Sequence, residues 1–261
     1  MGGNRDPRER FSTRVENYVR YRPGYPTAAI DTIVSRSGGA DGSVVADVGS
    51  GTGIFSRLLL DRGFRVFGVE PNAEMREAAE TSLSGEPGFE SVDGSAEATT
   101  LPDASVDIVT AAQAFHWFAG AATREEWLRV LRPGGFVALV WNVRNVAGSE
   151  FMRGYEELLR ELGTDYADVS HEGVDSARLE ELFGHAHYET STFANDQSFD
   201  LEGLIGRLES ASYAPERGHP NYGPMMERLE RLFHESATEG RVLFEYETRV
   251  FTGTLSQRPA D

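Results

Sequence analysis

In the stretch VVADVGSGTGIFSRLLL, residues 44 to 60, three glycines fall within five positions between an apolar run and a helical pattern, where backbone amides face a ligand. A dinucleotide turn reads GxGxxG. Counted from Gly49, the third glycine position holds Ile54, and the glycines stand at 49, 51 and 53. Asp47, two residues ahead of the turn, would repel a pyrophosphate and suit an ammonium group. Gly49, Ser50, Gly51, Thr52 and Gly53 therefore read as a turn around a zwitterionic or cationic ligand. Glu70, followed by Pro71, ends the next apolar run and is placed to accept from both hydroxyls of an adenosine ribose. Asp93, Gly94, Ser95 and Ala96 offer small residues and backbone amides to the edge of an adenine ring, with Asp93 or a neighbour accepting from its amino group.

These residues need elements that bring three chain segments to one edge. SVVADVGS (43 to 50) reads as a buried strand, and Ile54, Leu58 and Leu59 make a helical stripe ending at Gly63. RVFGVEP (65 to 71) is a second strand, and Asn72 caps a helix carrying Met75, Ala78, Ala79 and Leu83. FESVDGSA, SVDIVTAA and FVALVWN (136 to 142) supply three more strands. Thr123 and Glu126 predict a capping box for a helix that RPGG at 132 to 135 terminates. Ser149 and Asp200 cap two further helices, and FEYETRVF (244 to 251) alternates as a half-exposed antiparallel strand. Residues 164 to 186 and 211 to 224 read as covering loops. Strand and helix in alternation argue a parallel sheet with helices on both faces, whose ligands bind at the carboxyl ends of the strands.

Length and composition set bounds. The 261 residues fit one α/β domain spanning 1–261, divided into a lid and helices (1–42), a cofactor core (43–142), a helical substrate-covering region (143–241) and a terminal strand (242–255). No apolar run reaches the roughly 18 residues of a membrane span, and MGGNRDPRER lacks a signal-peptide core, so a cytoplasmic protein without a membrane partner is expected. The absence of cysteine excludes disulfides and thiolate chemistry. With a net charge of −17 and all 25 basic residues arginine, the surface repels phosphate backbones, and nucleic acid is not expected as a partner. Abundant carboxylates without lysine read either as a salt-adapted host or as a GC-rich genome that favours arginine codons. His185 and His187 in GHAHYE have a metal-like spacing without a third ligand, and no metal is expected.

A nucleoside, an ammonium and no phosphate describe S-adenosyl-L-methionine. Across residues 11 to 142 the sequence resembles the class I S-adenosylmethionine-dependent methyltransferases, through DVGSGTG, VEP and DGSAEATTLPDASVDIV. YRPGYP (21 to 26) and QAFHWF (113 to 118) look like the small-molecule branch that includes trans-aconitate methyltransferases. The resemblance implies a Rossmann-like seven-stranded sheet, mostly parallel, with an antiparallel last strand. It also implies S-adenosyl-L-methionine as cofactor and a small-molecule acceptor. It places Tyr21 against the cofactor and Arg22 on its carboxylate, and brings Gln113 and Ala114 to the same site. Met75 reads as core within reach of the adenine.

Methyl transfer is an in-line displacement, so positioning dominates. A carboxylate acceptor needs arginines and no base; a hydroxyl or amine needs a base. His116 is the base candidate, or a structural group framing the pocket, and Tyr25 faces the acceptor, as do the covering-loop candidates Tyr213, Arg217, His219 and Tyr222. Trp117 and Phe118 wall the pocket, and Arg144 reads as a solvated loop arginine within reach of an acidic acceptor. A binding protein without turnover and a dinucleotide oxidoreductase are the alternative readings.

Overall fold

The computed structural model describes residues 21–118, 120–164, 166, 176–184 and 188–255. Residues 1–20 of the expected lid, and His185 and His187, lie outside them. The chain runs α1 (Thr27–Ser37), β1 (Val44–Val48), α2 (Ile54–Leu60), β2 (Arg65–Val69), α3 (Ala73–Ser82), β3 (Phe89–Val92) and β4 (Val106–Ala112). A 3₁₀ turn (Phe115–Trp117) precedes α4 (Ala121–Val130) and β5 (Leu131–Arg144). There follow α5 (Glu150–Leu162), α6 (Ser176–Phe183), β6 (Tyr188–Ala194), β7 (Gln197–Phe199), α7 (Leu201–Glu209), α8 (Tyr222–Ser236), β8 (Val242–Phe244) and β9 (Tyr246–Thr254).

Seven strands form one sheet in the order β3-β2-β1-β4-β5-β9-β6. β1 through β5 pair in parallel, and β9 is antiparallel to both β5 and β6. The continuous apolar run of β1 is explained by its place at the centre, where all five residues are buried. Its side chains alternate between two cores. Val44, Ala46 and Val48 join Trp127 of α4 and Phe183 of α6 on one face, and Val45 joins Ile30 of α1 and Phe55 of α2 on the other. The order reverses at β1, with β2 on one side and β4 on the other, and this switch point opens a crevice beyond the strand ends.

A third core, built from α5, α7, α8 and the β7–β8 ribbon, roofs that crevice. Three caps form as the sequence predicts. Asn72, Ser149 and Asp200 accept from the backbone amides of Met75, Met152 and Gly203.

Five expectations are corrected. The buried side of α2 is Phe55, Ser56 and Leu59, one step round the helix from the stripe of Ile54, Leu58 and Leu59. No capping box forms at Thr123, because α4 starts two residues earlier, after Gly120. Thr123 instead donates to the Phe118 carbonyl. Glu126 accepts from the amide (2.7 Å) and hydroxyl (2.5 Å) of Thr99, and hydrogen bonds from Arg129 hold its carboxyl down at about 2. RPGG ends α4 but lies inside β5, out of register between Leu131 opposite Val106 and Phe136 opposite Ile108. Within 164–186, read as a loop, Ser176–Phe183 is helical. β9, expected to be half-exposed, is so over its first four residues, where Glu247 and Arg249 alternate with buried Tyr246 and Thr248, whereas Val250 and Phe251 are both buried.

Candidate functional site

A cavity of about 430 Å³ opens at the carboxyl ends of β1, β2 and β4. Its floor is the glycine turn. Gly49 and Ser50 both donate to the Val69 carbonyl (2.8 and 3.2 Å), Gly51 to Glu70 Oε2 (3.0 Å), and Gly53 to the Ser50 carbonyl (3.0 Å). Four amides that a phosphate would need are thus satisfied inside the protein. Gly49 has φ +69°, and a Cβ there would lie 2.5 Å from that of Ala114, so the turn closes directly on the segment after β4. Gly53 serves packing, since a Cβ would meet Leu83 at 2.8 Å, and it does not line the cavity.

Glu70 is fixed by two backbone amides, Gly51 on Oε2 and Asn72 on Oε1 (2.9 Å). Burial nevertheless pushes its carboxyl up, against those hydrogen bonds and the Arg76 charge. A carboxylate held in one orientation at the rim of a crevice, with lone pairs left over, suits a vicinal diol. Asp47 lies deeper and is fully buried, with Ser56 Oγ (2.6 Å) and Thr110 Oγ1 (3.0 Å) each on one oxygen. Burial raises its carboxyl to about 6; the two hydroxyls pull the other way, and the Glu70 charge adds to the rise. A desolvated carboxyl beside a second one is a site prepared for a cation.

Arg22, Tyr25, Asp47, Gly49, Ser50, Gly51, Thr52, Glu70, Pro71, Met75, Ser95, Ala96, Gln113, Ala114 and His116 come together around this one cavity. Four candidates stand outside it. Asp93 turns outward to Arg76 (3.1 Å), which also donates to the Glu70 carbonyl. Gly94 supports the loop from behind, where a Cβ would meet the Thr99 carbonyl at 2.7 Å, and Tyr21 packs on Gly206 of α7. Gly53 is the fourth. Of the covering-loop candidates, Tyr213 lines the cavity; Arg217 and Tyr222 bond Glu209, and His219 Nδ1 accepts from the Asn221 amide.

His116 follows β4 on the 3₁₀ turn, its ring 5.0 Å from that of Trp141 and edge-on. Phe115 and Phe118 anchor this turn on the fully buried Trp127, with ring centroids 6.2 Å away in each case. Gln113 adopts φ +57° and donates from Nε2 to the Asn142 carbonyl (3.1 Å), which places the turn against β5.

The roof of the cavity is basic and aromatic. Arg144, expected to be a solvated loop arginine, is the last residue of β5 and 7 % exposed. It donates to Tyr166 Oη (2.7 Å) and Glu156 (3.4 Å), with its Cζ 5.8 to 5.9 Å from the rings of Tyr155, Tyr166 and Tyr213. Arg207 on α7, absent from the sequence-based candidates, is 2 % exposed and donates to Tyr246 Oη at 3.0 and 2.5 Å. Its one signal is position, roughly 60° round the helix from Leu204 and so beside the apolar stripe. Arg22 reaches the Ser210 carbonyl (3.1 Å). Burial pushes the Tyr213 phenol up, but Arg144, Arg207 and Arg22 more than offset this and hold it below its ordinary range.

Among the described residues no group of three or more His, Asp or Glu is placed to hold a metal, and no helix is long and apolar enough to cross a membrane.

The sheet order and the cavity at its switch point, with two carboxylates in the wall, define a Rossmann-like fold with a ligand crevice at the strand ends. Residues 46–139 match the family described as a methyltransferase domain. An uncharacterized methyltransferase of Mycobacterium tuberculosis is 41 % identical over 141 residues, 54 % of this chain and 55 % of the relative. One of Geobacillus kaustophilus is 30 % identical over 169 residues, 60 % of this chain and 77 % of the relative. A solved structure described as a type II methyltransferase, from Anaeromyxobacter dehalogenans, superposes with a TM-score of 0.63 at 22 % identity, over 92 % of this chain and 99 % of that one. The chain belongs to the methyltransferase domain family. It spans about half the length of the first curated relatives it matches. The family's cofactor is S-adenosyl-L-methionine, and the glycine turn with four amides satisfied inside the protein, buried Asp47 and locked Glu70 fit its ammonium and ribose.

Proposed function

We propose that this protein transfers a methyl group from S-adenosyl-L-methionine to an oxygen, carboxylate or hydroxyl, of a small molecule, with residues 1–261 acting as one methyltransferase domain. The carrying observation is the Glu70 carboxylate, locked by the Gly51 and Asn72 amides at the mouth of a cavity whose deeper wall holds Asp47. When bound, the cofactor supplies an electrophilic methyl on a sulfonium, and the protein's task is alignment and exclusion of water. Glu70 would hold the ribose, Asp47 the ammonium, and Met75, Pro71, Ser95 and Ala96 the adenine, with Glu97 beside them in the wall. Arg22 would pair the cofactor carboxylate. Trp117, Phe118 and Trp141 offer ring faces near the methyl end, where an aromatic surface attracts a cation. Tyr25, ring-packed edge-on against Phe55 at 5.0 Å, and His116 stand at the acceptor side; a hydroxyl acceptor would use His116 as base, and a carboxylate would need none.

Calorimetric titration with S-adenosylhomocysteine tests the reading. One site per chain is expected, and absence of both heat and thermal stabilisation at millimolar concentration would overturn it.

Asp47 makes the affinity depend on pH. Its raised pKa means that the empty site protonates near 6, whereas a bound ammonium requires the ionised form. Affinity should hold above pH 7 and fall on acidification through 6, to about tenfold weaker at pH 5. The same raised pKa makes the ligand-free fold lose stability as pH rises from the ordinary Asp range towards 6. A flat affinity between pH 5 and 8 would remove Asp47 from the ammonium site.

A further inference from the structure

We infer that the acceptor carries a carboxylate that docks on Arg144 in the roof of the cavity, away from the transferred methyl; this rests on the methyl-transfer reading. Arg144 and Arg207 are both more than nine-tenths buried and both line the cavity, with Arg22 beside them. The acidic partner of Arg144, Glu156, also accepts from Arg160 (3.1 Å) and from the Tyr166 hydroxyl. Arg207 directs its donors to Tyr246 and Ser210, neutral groups. In the roof, two buried arginines thus face one carboxylate, Glu156, which a further arginine shares. Such an excess is costly unless an anion completes the site.

The donor left for that anion is identifiable. Arg144 Nη1 is buried and has no hydrogen-bond partner among the described residues, while Nη2 is fully occupied by Tyr166 and Glu156. An unpartnered buried guanidinium nitrogen on a residue that lines a cavity calls for an acceptor. One unpartnered nitrogen between tyrosine rings suits a flat carboxylate oxygen; a phosphate dianion would want several convergent donors. Position separates this anchor from the chemistry. Trp141, at the methyl end, stands three residues before Arg144 on β5, roughly 10 Å at the rise of a strand. The anchor therefore grips a part of the acceptor remote from the residues beside the methyl.

The test uses the full chain in two stages. S-adenosylhomocysteine binding is measured first, and this alone decides the methyl-transfer reading. The saturated complex is then titrated with fumarate, with the neutral isostere fumaramide and with inorganic phosphate, followed by saturation-transfer NMR and thermal shift. Fumarate is expected to bind the complex at least tenfold more tightly than fumaramide or phosphate. Arg144→Met should remove that preference while the S-adenosylhomocysteine dissociation constant stays within twofold. Equal binding of fumaramide, tighter binding of phosphate, displacement of fumarate by S-adenosylhomocysteine, or unchanged fumarate affinity in the variant would each overturn the inference. If Arg144→Met does not fold, Arg144→Lys and the isostere comparison on the wild type decide between these outcomes. Fumarate binding without S-adenosylhomocysteine binding would keep the anion site and end the methyl-transfer reading.

Discussion

Gly49→Ala is expected to weaken S-adenosylhomocysteine binding at least a hundredfold and to cost about 2–5 kcal/mol of stability. Two penalties act together. A residue with a Cβ held at φ +69° loses about 1–2 kcal/mol. The new methyl would lie 2.5 Å from Ala114 Cβ and 3.2 Å from Phe118, and relieving such overpacking costs about 1–3 kcal/mol more. The relief has to come from the turn or from the segment carrying Ala114 and His116, and both line the cavity. Urea unfolding and calorimetry read the two effects separately. A variant that binds normally would show that the ligand does not lie against this turn.

Glu70→Ala should cost about 1.5–3 kcal/mol of cofactor affinity, tenfold to a hundredfold, through loss of a charged acceptor for two hydroxyls. Removal also strips the acceptor from the Gly51 and Asn72 amides, so the turn and the start of α3 lose their common tie. Glu70→Gln should fail to rescue, because its amide nitrogen would face one of those N–H donors. Calorimetry on alanine and glutamine variants of unchanged far-ultraviolet circular dichroism decides the point. Wild-type affinity in either would displace Glu70 from the ribose.

The parts of this site legible in sequence are those in which local chemistry and topology coincide. Asp47, the glycine turn and Glu70 follow strand ends, and a parallel sheet brings its strand ends to one edge whatever the loops do. Asn72, Ser149 and Asp200 were readable because a cap depends on a few neighbouring residues. Strand β6, YETSTFA, carries no signal because it is the sheet's edge and most of its side chains are solvated. Arg144 and Arg207 were misread or missed for one physical reason: a buried cation looks like a surface cation until the tyrosines around it, from α5, the following loop and β9, are brought together by folding. Asp93 is the reverse case, a well-placed acid at a strand end whose side chain turns to Arg76, while its neighbours Ser95 and Ala96 line the cavity.

The last strand has a consequence for the order of assembly. β9 fits between β5 and β6, so residues 188–194 have no sheet neighbour until residues 246–254 have left the ribosome. Tyr246, the hydroxyl that holds Arg207, arrives on the same strand. A nascent chain halted before this point would carry a formed glycine turn beneath an unfinished ceiling, and its ability to take up an acceptor should appear only when synthesis passes β9.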